Sequence, residues 1–429
     1  MRQQRTILKW RFWRLTLRLS WTVPRLKLRD VSWYPATIPP GANGGYFYRP
    51  GQLMIRQRNM KEVLETLGGL GVCVLLQPPE HPLPGAVRVR IDSKLSVPQV
   101  LETLHRCGGH GPEAVGPNHV FWPMDPPVIM SGWPWYSGGG SQGPVEAHDP
   151  PAQNGGSRGE NITIAVFDSG LVEDYYDEND PARSWLTEVD PSRPAGQDGS
   201  PDIEGQGGDP DSDGLDYFDS HATFIAGIIK RAAPEANVIV RNVLSEAGDV
   251  DDATLSSAVD AVLNGDQNVR LVNLSLGGTT YENEQPIGLA EMVNRHQEPD
   301  HRVLFVAAAG NNGQQGDPMW PAALDGVVGV GALDGDAKAS FSNVFSADVW
   351  APGVDVVSAF GRGILTTPGY QQEFTTGLAT WSGTSFAAPL VTAVLCDYIS
   401  TDGVQMSAEE AIEWLDTHPS QDGVMVFHT

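Results

Sequence analysis

The sequence predicts an α/β protein: a three-layer αβα arrangement around a mostly parallel central sheet, preceded by a small α+β domain. Three observations predict it. From Asn161 onward, short apolar runs alternate with helical patterns, as in parallel sheets covered on both faces. Before them, residues about 49 to 125 carry two helical patterns interleaved with extended ones. Between the two lies a stretch rich in Pro, Gly and Ser, such as Ser137 to Gly143, with the composition of a linker. The 429 residues are enough for one large and one smaller domain. The expected division is 1–48 a basic extension, 49–125 the small domain, 126–158 the linker and 159–429 the large domain.

In the first 30 residues, apolar and polar positions alternate from Trp13 to Val23: Leu15, Leu17, Leu19 and Trp21 against Arg14, Thr16, Arg18 and Ser20. Period two fits an edge strand. A translated extension with little structure and a basic partner- or membrane-binding arm are the other readings. Arginines interrupt every apolar core that a secretory signal would need. In the small domain, Gln52 to Arg56, Val72 to Leu76, Ala86 to Ile91 and Ala114 to Phe121 read as extended, and Met60 to Leu67 and Pro98 to Cys107 as helices. Pro98 is tolerated in a first helical turn, where the N–H has no partner. The order β-α-β-β-α-β is that of ferredoxin-like domains. In the large domain, strands are expected at Ile162 to Phe167, Asn237 to Val243, Val269 to Leu274, Val303 to Ala308 and Gly326 to Ala332. Helices are expected at Thr223 to Lys230, Ala253 to Leu263, Gly288 to His296 and Leu390 to Tyr398.

The net charge is −25, with most cations arginine. That predicts a self-repelling surface and argues against general nucleic-acid binding. No apolar run reaches the ~18 residues of a membrane span. The three cysteines, Cys73, Cys107 and Cys396, fit no metal spacing, and a disulfide framework is not expected. This reading favours the cytoplasm, with secretion the alternative.

Ligand sites in such sheets lie at the carboxyl ends of strands, which is where four residues stand out. Asp168 closes a strand and is followed by Ser169-Gly170; a carboxylate there can hold a histidine, although Asp-Ser-Gly is also turn chemistry. His221 opens a helical segment, where a general base or a simple cap would sit. Ser385, in Gly383-Thr384-Ser385-Phe386-Ala387-Ala388-Pro389, opens another, as an N-cap would or as an exposed nucleophile must. Asn311, in Ala309-Gly310-Asn311-Asn312-Gly313, lies in a turn from which its amide could donate to an oxyanion.

Taken together, these stretches resemble the subtilisin-like serine proteases over roughly Asn161 to Ser400. The resemblance rests on Val166-Phe167-Asp168-Ser169-Gly170, His221-Ala222-Thr223, Asn273-Leu274-Ser275-Leu276-Gly277, Ala308-Ala309-Gly310-Asn311 and the Ser385 stretch, in the chain order Asp, His, Ser. It implies a serine endopeptidase with Ser385 as nucleophile, His221 as general base, Asp168 as its orienting carboxylate and Asn311 as oxyanion donor. It places extended polypeptide substrate along Leu274, Ser275, Leu276 and Gly277, with Ala309 and Gly310 beside it. No cofactor is required for that chemistry. The sequence departs from the family pattern beside the histidine, where Ser220 and Ala222 replace glycines and Phe224 replaces a second histidine. It departs again after the serine, where Phe386 replaces a methionine. Sedolisins, which use Glu and Asp in place of His221 and Asn311, are excluded by those two residues.

The small domain resembles the propeptides of this family, with Val115-Gly116-Pro117-Asn118-His119-Val120 leading toward the active site. That implies a self-inhibited precursor processed in the linker; a permanent accessory domain is the alternative. Asp209, Asp211 and Asp213 alternate before Gly214, like the start of a Ca2+ loop, but Ser220 stands at the twelfth position, so the loop is not an EF-hand. A solvated acidic loop is the competing reading. A catalytically silent scaffold, or a latent protease activated by a partner, are the alternatives to an active enzyme. The presence of all four catalytic groups favours the enzyme.

Overall fold

The computed structural model describes residues 32–35, 45–76, 83–123, 144–153, 155–191, 214–215, 218–245, 248–265, 268–299, 302–313, 317–367, 370–418 and 423–425. The candidate calcium ligands Asp209, Asp211 and Asp213, and the alternating segment Trp13 to Val23, lie outside them.

The small domain comprises β1 (Ser32–Pro35), β2 (Gly45–Arg56), α1 (Met60–Gly69), β3 (Cys73–Leu76), β4 (Ala86–Asp92), α2 (Val97–Gly108) and β5 (Val115–Pro123). The strands lie in the spatial order β5-β2-β4-β3, each pair antiparallel, as the β-α-β-β-α-β reading requires. Val63 and Leu67 of α1 and Val97, Val100, Leu101 and Leu104 of α2 cover one face, against Leu53, Ile55, Val89 and Ile91. A Ser96–Gln99 capping box starts α2, and Gly109 at φ 67° ends it. The domain begins earlier than residue 49. β1 and the first four residues of β2 fall in the expected basic extension, and β2 pairs with both β1 and β5. The reason lies at Pro50-Gly51. The β2–β5 register shifts between Tyr48 and Leu53, so the alternation of buried Tyr46 and Tyr48 does not run on in phase.

The expected linker also shortens. β6 (Val145–Glu146) pairs with a strand of the large domain, and Glu146 Oε1 accepts from Thr375 N–H (2.6 Å), Thr375 Oγ1 (2.7 Å) and Thr376 N–H (3.0 Å). Those contacts hold the Glu146 carboxyl below its usual range.

The large domain follows as β7 (Thr163–Asp168), β8 (Val189–Asp190), β9 (Gly214–Leu215), α3 (His221–Ala232), β10 (Asn237–Asn242), β11 (Val250–Asp251), α4 (Asp252–Leu263), β12 (Val269–Leu274), β13 (Leu276–Gly277), α5 (Ile287–Arg295), β14 (Leu304–Ala308), β15 (Val327–Asp334), β16 (Ala337–Lys338), β17 (Val349–Pro352), β18 (Val356–Ala359), β19 (Gly363–Thr367), β20 (Tyr370–Phe374), β21 (Leu378–Trp381), α6 (Thr384–Asp402) and α7 (Ala408–Thr417). The central sheet runs β16-β15-β14-β12-β7-β10-β8, with β17 also beside β15, and every pairing is parallel except β15–β16. Side chains of each strand alternate between two apolar layers. In β7, Ile164 and Val166 face the layer of α3 and α6, while Ala165 and Phe167 face that of α4 and α5. Burial on both faces is why these strands are apolar at nearly every position. Asp252 ties two helices together: its carboxylate accepts from Gly288 N–H and Leu289 N–H, both at 2.8 Å, at the start of α5. Burial pushes this carboxyl up to about 7. A Cβ at Gly288 would lie 2.7 Å from Asp252 Oδ1, so only glycine permits the approach.

Candidate active site

Asp168 is the last residue of β7, the strand between β10 and β12, so its carboxylate emerges at the carboxyl edge of the sheet. His221 is the first residue of α3. Two hydrogen bonds lock the head of α3 to the loop after β7: Ala222 N–H donates to Ser169 Oγ (3.0 Å), and Val172 N–H to Thr223 Oγ1 (3.0 Å). The result is a direct bond from His221 Nδ1–H to Asp168 Oδ1 (2.7 Å), with both residues buried. Asp168 Oδ1 also accepts from Ser169 N–H (2.8 Å). This bond fixes the tautomer that leaves Nε2 as the basic nitrogen. Nε2 is buried and has no hydrogen-bond partner among the described residues.

The departures from the family pattern converge here. The His221 ring lies 5.4 Å from both Trp381 and Phe386, edge-on to the former. Phe224 packs behind, 4.6 Å from Phe386 and 5.8 Å from Trp381. Phe224 and Phe386 are therefore one packing unit rather than two independent changes. Ser220 takes φ 74°, a backbone that glycine adopts without cost, and its Oγ accepts from Gly361 N–H (2.8 Å).

Ser385 is the second residue of α6, and its Oγ donates to the Ser275 carbonyl (3.2 Å). Asn311 follows β14, where Gly310 turns the chain at φ 104°. A Cβ at Gly310 would come within 3.1 Å of Met319, a second reason for glycine. Thr384 holds the Asn311 amide. Its N–H (2.8 Å) and its Oγ1 (2.9 Å) both donate to Asn311 Oδ1, and that Oγ1 accepts Gly310 N–H (3.1 Å). With Oδ1 so anchored, the amide NH2 is its remaining face. A Cβ on Gly383 would sit 3.2 Å from Nδ2, so glycine allows the close approach of the two.

The strand edge expected at Leu274 to Gly277 is already paired. β13 runs antiparallel to β5 of the small domain, with Leu276 opposite Pro123 and Gly277 opposite Trp122. β11 pairs along the other side of β5, with Val250 opposite Phe121 and Asp251 opposite Val120. β5 is thus the middle strand of a short antiparallel sheet between two rails of the large domain. Its side chains alternate: Phe121 enters the apolar layer that contains Leu274 and Leu276, while Val120 and Trp122 pack with Phe218 and Phe47. Ala309 N–H bonds Val330 O (2.9 Å), which fixes Ala309 and Gly310 beside β15. The β11 rail and Trp381 went unnoticed in the sequence. Gly248-Asp249-Val250-Asp251 has no strand periodicity, and nothing in the Trp381 environment distinguishes it from a core tryptophan.

The junction is also charged. Arg49 pairs with Asp249 (2.5 Å) and Asp251 (3.1 Å), Arg56 pairs with Glu291, and Asn118 Oδ1 accepts from Ala253 N–H (3.1 Å). His119 Nε2 accepts from Tyr281 N–H (3.0 Å). Burial lowers the His119 pKa to about 3. Among the described residues, no cluster of His, Cys, Asp or Glu could hold a metal ion, and no helix is long and apolar enough to cross a membrane.

A buried carboxylate–imidazole pair, a serine at a helix start and an anchored amide thus stand with a strand-pairing edge on an α/β scaffold. Residues 159–416 match the model of the subtilase family. The chain belongs to that family. An intracellular serine protease of Paenibacillus polymyxa is 29% identical over 271 residues, which cover 58% of this chain and 70% of that protein. A thermophilic serine proteinase of Bacillus sp. (strain AK1) is 34% identical over 222 residues, 48% of each chain. Subtilisin NAT of Bacillus subtilis subsp. natto is 29% identical over 256 residues, 56% of each. The chain therefore spans about half the length of the latter two. The crystal structure of fervidolysin from Fervidobacterium pennivorans, a keratinolytic enzyme related to subtilisin, superposes with a TM-score of 0.57 at 19% identity. The superposition covers 90% of this chain and 59% of that one.

Proposed function

We propose that this chain is a serine endopeptidase made as a self-inhibited precursor. The observation that carries the reading is β5, seated between β11 and β13 in the place an extended substrate would take, beside Ser385 and the Asp168–His221 pair. In the reaction, Ser385 Oγ attacks the scissile carbonyl and His221 Nε2 takes its proton. Asp168 holds the imidazole and stabilises the imidazolium. Asn311 Nδ2 and the Ser385 N–H receive the oxyanion, a donor of this kind lowering the barrier by about 3–4 kcal/mol. The imidazolium then protonates the leaving amine, and water, deprotonated by the same nitrogen, releases the acyl group.

The small domain acts as the intramolecular inhibitor. Main-chain pairing on both sides of β5 denies the cleft to other chains. Processing falls between Pro123 and Pro144. β5 is committed to the cleft up to Pro123, and Ala147 N–H bonds Leu378 O (3.1 Å) while β6 pairs with β21, so the chain is anchored again from β6 onward.

The test is the intact mass of wild type beside Ser385→Ala, each treated with a fluorophosphonate. The expected result is a wild type that loses a fragment ending between Pro123 and Pro144 and takes up the probe, and a variant that stays whole and unlabelled. An uncut but labelled wild type would retain the peptidase and remove self-processing. A wild type neither cut nor labelled, even after proteolysis of the linker, would leave a scaffold on a peptidase fold.

A further inference from the structure

The helix that carries Ser385 has a defect in its first turns. In an α-helix, the carbonyl of residue 385 would accept from the N–H of residue 389, but residue 389 is Pro389, inside α6, and has no N–H. A buried carbonyl without a donor is costly. Ser275 supplies the donor: its Oγ gives a hydrogen bond to the Ser385 carbonyl (2.9 Å). In return the Ser385 hydroxyl donates to the Ser275 carbonyl (3.2 Å). The two serines are joined reciprocally, and both are at most 1% exposed.

Ser275 is held in turn. Asn273 Nδ2 donates to Ser275 Oγ (2.9 Å), and Thr392 Oγ1 lies 3.1 Å from Asn273 Oδ1 and 2.9 Å from the Ala388 carbonyl one turn back on its own helix. Thr392 sits on α6 itself, two turns beyond Ser385. Each hydroxyl has one proton; where Thr392 gives its proton to Asn273 rather than to the Ala388 carbonyl, the bonds run in one direction: Thr392 to Asn273, Asn273 to Ser275, Ser275 to the Ser385 carbonyl. The loop of bonds joins β12, the Ser275 link before β13, and two points of α6 that lie two turns apart. Thr392, Asn273 and Ser275 are all buried.

We propose that Ser275, Asn273 and Thr392 form a positioning relay that fixes the first turn of α6, and with it the nucleophile and its oxyanion N–H, relative to the substrate strand. The inference rests on Ser385 being the nucleophile. Thr392 and Asn273 touch neither reacting atoms nor substrate. They act through Ser275, and Ser275 acts through the Ser385 peptide group. A relay of this kind governs the attack rather than substrate affinity, because displacements of about 1 Å at a nucleophile cost up to ~10²-fold in rate.

The experiment uses the linker-cleaved protein, freed of its small domain by gel filtration near pH 4.5 and returned to pH 7.5, with two readouts. One is kcat and KM on a quenched peptide carrying the chain's own residues 118–129. The other is the second-order rate of fluorophosphonate labelling, which needs no strand pairing and reports the nucleophile alone. Ser275→Ala is expected to lower kcat and labelling together by roughly tenfold or more with KM unchanged. Thr392→Val is expected to lower both by roughly threefold to tenfold, and Thr392→Ser, which keeps the hydroxyl, to restore them to about the wild-type rate. The Thr392 pair keeps the test decisive if Ser275→Ala folds poorly. A rise in KM with labelling unchanged in Ser275→Ala, or equal rates in Thr392→Val and Thr392→Ser, would overturn the relay. A wild type that takes up no probe would sink the peptidase reading itself.

Discussion

Two histidines are buried near the cleft, His119 on β5 and His221 at the head of α3, and their surroundings differ. His221, in the cleft, has a carboxylate at 2.7 Å on Nδ1. His119, at the domain junction, has the ring of Tyr46 at 5.8 Å, the backbone N–H of Tyr281 on Nε2, and a buried Nδ1 with no hydrogen-bond partner among the described residues. The first environment can carry an imidazolium during a reaction; the second rejects one. The same side chain is thus paired with a carboxylate in one place and is a neutral acceptor in the other. Burial is common to both, so the neighbouring charge decides.

The largest expected effect comes from making the first environment resemble the second. Asp168→Asn keeps the shape of the pair but removes the charge and offers His221 an NH2 where it needs an acceptor. The variant should fold, keep its small domain in place, and lose about 10⁴-fold in kcat, the loss typical when a triad histidine is held in the wrong tautomer. Retention of most of the activity would mean that Asp168 is a turn residue after all.

The second effect concerns the junction. In the closed chain His119 has a pKa of about 3, against 6.5 for a solvated imidazole. The closed state therefore binds fewer protons than the open one between those values. The hold on the small domain is full above pH 6.5 and weakens as pH falls toward 3, by about tenfold per unit. Asp249, Asp251 and Glu291, which pair with Arg49 and Arg56, are the other charged groups at this junction. Gel filtration of Ser385→Ala cut in its linker by an added protease measures this without any dependence on activity. The small domain should stay bound at pH 7.5 and leave near pH 4.5. His119→Asn, whose amide oxygen can accept the Tyr281 N–H without titrating, should remain bound at both. Release of the two proteins at the same pH would assign the transition to the carboxylates.

Much of this was legible in the sequence, and the limits have physical causes. The parallel sheet was readable because strands buried on both faces are apolar at nearly every position, as in Leu304 to Ala308. Asp168, His221, Ser385 and Asn311 were readable because each ends or begins an element and sits in a short fixed pattern. Pairings that depend on contacts between distant segments were not readable. β11 is two residues long and exists because it lies against β5. β17 to β21 leave little trace in the sequence, since hairpins such as β19–β20 carry weak alternation. The complementarity of Phe224 and Phe386, far apart in the chain and 4.6 Å apart in space, appears only once α3 and α6 are packed together. The relay from Thr392 to Ser385 was hidden for the same reason, although Pro389 was in plain view.

The smallest effect tests whether Ser220 is a strained substitute for glycine or a residue with its own task. At φ 74° a serine pays about 1–2 kcal/mol that glycine does not. Its Oγ, however, accepts the N–H of Gly361 in a buried setting (2.8 Å), and an N–H left unsatisfied there costs about 1–3 kcal/mol. Ser220→Gly relieves the first and incurs the second, so thermal unfolding should show a change within about 1 kcal/mol. Ser220→Ala keeps the strain and loses the acceptor, so it should be the less stable of the two variants by about the strain alone. If alanine is tolerated as well as serine, the bond to Gly361 contributes nothing and the left-handed turn before His221 is held by the packing of Phe224, Trp381 and Phe386. If glycine is clearly the most stable of the three, Ser220 has been retained at a cost in stability, and the reason must lie in the orientation of His221 one residue on.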